Sequence, residues 1–216
     1  MEEIKSVSMK QLERYPVYLK YLISIKDQGI TSISAPMIAK ALDCTEEQVR
    51  KDLQIVSPDS GKPKSGRDIK TLINDIENFL GYNDVSDAIV VGVGHLGEAF
   101  MRYKGFSEFG LNVLAGFDLD ETKIGKKVDG KEIFSMDKMS NLISRLKVNI
   151  AILTVPSDAA NAVSKLLVSS GIKAIWNFAP IHLDVPEDIV VENVNLASSL
   201  AVLSHKLNKK ILKENK

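Results

Sequence analysis

Ala88-Ile89-Val90-Val91-Gly92-Val93-Gly94-His95-Leu96-Gly97 carries an apolar run straight into a G-x-G-x-x-G turn. A second apolar run, residues 113–117, ends on an acid, Asp118. Strand, glycine turn, amphipathic helix, second strand and acid follow one another in the order of a dinucleotide-binding fold. Gly92 permits the tight turn, Gly94 lets the backbone approach a pyrophosphate, and Gly97 lets the helix pack close to the strand. Val93, His95 and Leu96 complete the phosphate loop, and the helix opening at His95 aims its N–H groups and positive dipole end at the phosphates. An acid at 118 accepts hydrogen bonds from a ribose 2′-OH and repels a 2′-phosphate, so the expected nucleotide is NAD(H) rather than NADP(H).

From Ala88 onward the pattern alternates strands and helices, as a parallel sheet requires. Strands are expected at 113–117, 150–155, 176–178 and 189–192, with a helix at 158–169 and a last helix near 196–213. Thr154-Val155-Pro156 and Asn177-Phe178-Ala179-Pro180 follow strands at the edge where such sheets bind ligands, and they read as walls of a nicotinamide pocket. The last helix is apolar on several sides (Leu196, Leu200, Val202, Leu203, Leu207, Ile211), which points to burial against a second subunit.

Upstream the chain reads as helical. Residues 9–26 carry Leu12, Tyr15, Leu19, Leu22 and Ile23 on one expected face, with Pro16 marking either a kink or a first turn. Ser34 is placed to cap a helix over 35–42, and Asp43-Cys44 make a tight turn. Thr45-Glu46-Glu47-Gln48 is a capping box that opens a helix over 46–56. Two short helices across a tight turn form a helix-turn-helix. The turn-rich segment 57–66 follows where a winged helix has its wing, then a helix over 68–80. Thr45 and Gln48 open the helix expected in the major groove, where Gln48 suits adenine and Arg50 and Lys51 suit guanine or phosphate. Lys62, Lys64 and Arg67 extend this basic stretch.

Composition narrows the classes. The 216 residues are 44% hydrophobic and 26% charged with zero net charge, so bulk charge does not advertise nucleic acid. The first 81 residues hold 9 Lys and 3 Arg against 12 acids. No stretch approaches a membrane span or a leader segment, and one cysteine, Cys44, fits a reducing cytoplasm. No His/Cys cluster has metal-ligand spacing, so no metal is expected. His95, His182 and His205 lie in no recognisable catalytic pairing, and catalytic residues are not expected.

Across nearly its whole length the chain resembles the Rex family of redox-sensing repressors. The matching strings are Gln48-Val49-Arg50-Lys51-Asp52-Leu53, the glycine turn, Phe117-Asp118-Leu119-Asp120, Ile152-Leu153-Thr154-Val155-Pro156, Asn177-Phe178-Ala179-Pro180 and Glu192-Asn193-Val194. The resemblance implies an α/β homodimer: a winged helix-turn-helix domain at 1–81, a linker at 82–87, a Rossmann NAD(H) domain at 88–194, and a swapped dimerisation helix at 195–216. It implies release of double-stranded operator DNA on NADH binding, with Tyr103 at the nicotinamide end.

Two departures stand out. The family usually continues its Arg-Lys-Asp-Leu with Ser-Tyr-Phe-Gly and a wing ending in Gly-Tyr; here the chain has Gln54-Ile55-Val56-Ser57 and Gly66-Arg67. Family members also place an Asp on the swapped segment that bonds the tyrosine in one state and an Arg of the first helix in the other. Those positions are Asn195, Tyr103 and Lys20 here, which predicts weaker redox discrimination. The alternatives are a nucleotide sensor with lost or altered DNA specificity, and an NAD-dependent oxidoreductase with a helical appendage.

Overall fold

The computed structural model describes residues 7–58, 66–84 and 86–214. The chain forms two compact units, Met1–Asp84 and Val85–Lys216. In the first, the expected helix over 9–26 is two: α1 (Met9–Leu12) and α2 (Arg14–Lys26), separated at Glu13. Pro16 is the third residue of α2, in the first turn, where an absent N–H breaks no helical bond. The buried face of α2 is Tyr15, Tyr18, Leu19, Leu22 and Ile25. Ile23, expected on that face, is 38% exposed, because one step from Leu22 turns it about 100° away.

A two-residue strand, β1 (Ser32–Ile33), precedes α3 (Ala35–Ala41), and α4 (Glu46–Val56) follows. Asp43 turns the chain between the helices at φ 51°, and the N–H of Cys44 returns to the Ala39 carbonyl at 3.1 Å. Thr45 Oγ1 accepts from the Gln48 N–H at 3.3 Å, the capping bond its sequence calls for. β2 (Arg67–Asp68) pairs antiparallel with β1, and α5 (Ile69–Leu80) starts behind the Asp68 cap. Gly81 ends α5 in the left-handed region, at φ 72°. Tyr15, Leu22, Ile38, Val49, Leu53, Ile69, Leu72 and Ile76 belong to the core of this unit.

The second unit holds a seven-stranded sheet among the described residues. Its strands are β3 (Ser86–Val91), β4 (Leu111–Asp118), β5 (Lys127–Val128), β6 (Lys131–Ser135), β7 (Ile150–Leu153), β8 (Ala174–Asn177) and β9 (Val190–Asn193). Their order is β5-β6-β4-β3-β7-β8-β9, parallel except for the β5–β6 pair. Ser86 and Asp87, expected in the linker, already pair with Leu111 and Asn112. Ile89 and Val91 join one buried cluster and Val90 another, so both faces of β3 are covered and its run is unbroken by polar residues.

Helices α6 (His95–Arg102), α7 (Met139–Leu146) and α8 (Ser157–Ser169) complete the layers with short 3-10 turns at Lys104–Phe109 and Met136–Lys138. The last helix, α9 (Leu196–Glu214), buries none of its residues, and Leu196, Leu200, Leu203 and Leu207 all stand exposed. Among the described residues no helix is long and apolar enough to cross a membrane.

Candidate functional site

The C-terminal ends of β3, β4, β7 and β8 bring the glycine turn, Asp118, Thr154 and Asn177 to one edge of the sheet. The three glycines there answer different demands. Gly92 has φ 90°, and a Cβ on it would lie 2.9 Å from the Thr154 carbonyl oxygen. A Cβ on Gly97 would lie 2.2 Å from the Gly92 oxygen. Both are required by the fold itself. Gly94 is required by neither backbone nor packing: its φ is −78°, and no protein atom lies within 4 Å of an added Cβ. The space over Gly94 is open, which is the room a closely approaching pyrophosphate would need.

Thr154, expected as pocket wall, also locks this turn. Its Oγ1 lies 2.7 Å from the Gly92 carbonyl and 3.1 Å from that of Val91. Asp118 performs a matching task from the other side. Its Oδ2 accepts from the Val93 N–H at 2.8 Å and its Oδ1 from the Asp120 N–H at 2.9 Å. Lys123 Nζ stands 3.2 Å from Oδ2.

Asn177 is fully buried and organises its own loop. Its amide donates to the Ile181 carbonyl and to Asn193 Oδ1, and its Oδ1 accepts from the Ala179 N–H. Phe178 is left to the surface side, packed on Phe100 at 4.7 Å and Trp176 at 5.0 Å between ring centres. Phe106 touches this group and carries Tyr103 edge-on at 4.9 Å. Phe178, Ala179 and Pro180 share an open concavity of about 520 Å³ with His182 and Asn195. Asn195 caps α9: its Oδ1 accepts from the Ser198 N–H at 3.0 Å. Val155 and Pro156 continue the loop from β7 into α8.

In the first unit, α4 is held by a buried acid that the sequence reading left without a role. Asp52, 1% exposed, receives Arg14 Nε at 2.6 Å and Nη2 at 2.8 Å, Gln11 Nε2 at 2.9 Å and the Tyr18 hydroxyl at 2.8 Å. The Tyr15 hydroxyl donates to its backbone carbonyl. Burial first, then the Asp52 charge, pushes Tyr15 up to about 12, while burial, then the hydrogen bond to Asp52, then its charge raise Tyr18. Both hydroxyls thus stay protonated in the fold above the value of 10 they have when unfolded. Their contribution to stability is whole below pH 10 and lost as pH climbs towards 12. Alkaline titration is therefore expected to give tyrosinate absorbance from these two residues only together with loss of helical circular dichroism.

Arg50 and Lys51 of α4 stand exposed, while Gln48, one turn before Asp52, is half-buried. Arg50 pairs with Glu46 and Lys51 with Glu47, both one turn back, and both basic side chains are about 70% exposed. Arg67, expected beside them, points inward instead. Its half-buried guanidinium donates to the Ser57 carbonyl, and burial lowers its pKa against the pull of Asp75. A partly desolvated cation bonded to a main-chain carbonyl braces the chain rather than facing solvent. Lys62 and Lys64 lie outside the described residues.

A repressor from Treponema denticola named "Redox-sensing transcriptional repressor Rex" is 40% identical over 97% of this chain and all of its own length. The chain belongs to the Rex family. Two family models divide it as the two units do: "Putative DNA-binding protein N-terminus" matches residues 6–54 and "CoA binding domain" matches 83–181. RSP, a Rex-family repressor, is similar in structure. Its complex with NAD⁺ and operator DNA is 34% identical with a TM-score of 0.90, covering 98% of this chain and 97% of that one. Its complex with NADH gives 34% and 0.86, covering 97% and 98%. The relative is named a repressor and not an enzyme, which sets aside the oxidoreductase alternative.

Against this Rex scaffold, the sequence reading missed Lys123, Asp52 with its partners, and the aromatic path from Phe178 to Tyr103. A signal existed for Lys123, a cation five residues after Asp118. None existed for the pairing of Asp52 with Arg14, 38 residues apart.

Proposed function

We propose that this chain is a repressor of transcription that binds operator DNA as a homodimer and leaves it when NADH occupies the second unit. The observation that carries the nucleotide half is Gly94, a glycine that neither its backbone angles nor its protein neighbours require. Gly92, Gly94 and Gly97 present main chain to the pyrophosphate, and Asp118 accepts from the adenosine ribose. The loops at Thr154 and Asn177 shape the far end, with Phe178 and Tyr103 as its aromatic surface. Bound, NAD(H) supplies a redox state to be read, and no proton donor is needed beside it.

The DNA half rests on α4. Thr45, Gln48, Arg50 and Lys51 face the duplex, and phosphate oxygens replace Glu46 and Glu47 as partners of the two cations. The exposed apolar surface of α9 buries itself on a second copy. The RSP complexes with operator DNA and with NADH support the same reading. The cytoplasm, where DNA and NADH meet, is the compartment this implies.

Selection on randomised duplexes is expected to enrich one operator in NAD⁺ and to lose it on adding NADH. Failure to enrich any sequence in either nucleotide would remove the repressor reading. Gly94→Ala is expected to leave the melting curve unchanged, since its Cβ meets nothing. It should weaken NADH about tenfold or more, a loss of about 1.4 kcal/mol, and keep DNA bound in NADH. An unchanged affinity for NADH would place the nucleotide elsewhere.

A further inference from the structure

We propose that Lys123 is a specificity-determining residue that softens the exclusion of a 2′-phosphate, so that the site retains measurable affinity for NADPH. This rests on the nucleotide reading above. An acid standing alone at the end of the second strand rejects a 2′-phosphate by like-charge repulsion and by offering acceptors where donors are needed. Asp118 does not stand alone. Lys123 Nζ lies 3.2 Å from its Oδ2 and 3.7 Å from Asp120 Oδ2.

The position of Lys123 is built into the turn after β4. Asp120 Oδ1 accepts from both the N–H and the hydroxyl of Thr122, and the Lys123 N–H returns to the Asp120 carbonyl at 2.9 Å. This turn folds the chain back so that the ammonium meets the ribose acid. The two side chains are 35% and 13% exposed, so their interaction is partly sheltered from solvent and salt.

The acceptor count shows what this does to a ligand. A carboxylate offers about four lone-pair sites, and the Val93 N–H, the Asp120 N–H and Lys123 occupy three on Asp118. A ribose hydroxyl takes the one left. A 2′-phosphate brought to the same place meets a flexible ammonium already within bonding distance of the carboxylate. Lys123 has only to turn its three donors from the acid to the phosphate. Asp118, Asp120 and Lys123 together carry one net negative charge where the two acids alone would carry two.

Calorimetric titration of NADH and NADPH into the full chain, the Lys123→Met variant and the Lys123→Arg variant tests this. Lys123→Met is expected to weaken NADPH about tenfold more than NADH, a change in preference of about 1.4 kcal/mol. Lys123→Arg, which keeps a cation, should hold the ratio near that of the unaltered chain. The effect should shrink when the pH is lowered from about 7.5 to about 5.5, through the second ionisation of a phosphate monoester near 6. Equal weakening of both nucleotides, or a ratio that ignores pH, would make Lys123 a mere strut for Asp118 and overturn the inference. An unaltered chain that binds NADH with no detectable NADPH would overturn it too, while leaving the NADH reading intact. Binding of neither nucleotide would remove the nucleotide reading, and this inference with it.

Discussion

Replacing Asp52 with alanine is expected to destabilise the first unit by about 3 kcal/mol and to abolish operator binding while NADH affinity persists. The acid is 1% exposed and its two oxygens receive four hydrogen bonds, from Arg14, Gln11 and Tyr18. Removing one partner of a buried ion pair costs about 3–5 kcal/mol because the other is left uncompensated. The lower end applies here, since the Arg14 side chain is 28% exposed and recovers some hydration. Stabilities of single domains lie at about 5–15 kcal/mol, so the loss is a large part of the whole. It also falls on the helix that carries Gln48, Arg50 and Lys51, whose direction α1 and α2 fix through this acid. Urea unfolding followed by circular dichroism measures the first effect and gel retardation the second. Asp52→Asn should fall between, because its amide nitrogen opposes donors that need an acceptor. An alanine variant that melts and binds DNA as the unaltered chain does would show that α4 is held by its apolar side alone.

Much of this architecture was legible because long elements express a period. α4 follows from the Thr45 capping box with its bounds as found, and β3 from an apolar run ending in Gly92. What escaped is short or distant. β1, β2 and β5 have two residues each, too few to alternate, and the base of the segment after α4 depends on the first two. Asp52 escaped because its hydrogen-bond partners Arg14 and Gln11 lie 38 and 41 residues away. Thr154 and Asn177 lie at the expected edge of the sheet, and each makes structural hydrogen bonds that spacing does not announce. Their hydrogen bonds go to the Gly92 turn and to the loop at Ala179. Spacing locates a loop; only geometry separates the groups that build it from those it presents.

Asn195→Asp combined with Lys20→Arg is expected to sharpen the preference for NADH over NAD⁺ about ten- to hundredfold, through a coupling of about 1.5–3 kcal/mol from one charge-assisted pair. The resemblance to Rex assigns an acid and an arginine to these positions, with Tyr103 as the competing partner of the acid. In this chain an amide and a lysine stand there, so a competition of that kind would run between weaker bonds. The structure shows why the amide is tolerated: Asn195 caps α9 through the Ser198 N–H, and Asn and Asp cap helices about equally well. Asp at 195 therefore keeps the cap, gains a favourable charge at the helix N-terminus, and adds the carboxylate that an arginine fork can grip in two places. Lys20 is exposed on α2, so Arg fits there without repacking, and Tyr103 is 55% exposed, free to change partners. Each single change should give less than the pair, since an acid facing a lysine or an amide facing an arginine makes half of the forked contact. Calorimetry with both nucleotides reads the ratio directly. A ratio that the double change leaves where it was would mean that redox state is read elsewhere, with the Phe178–Phe106–Tyr103 aromatic path as the place to look.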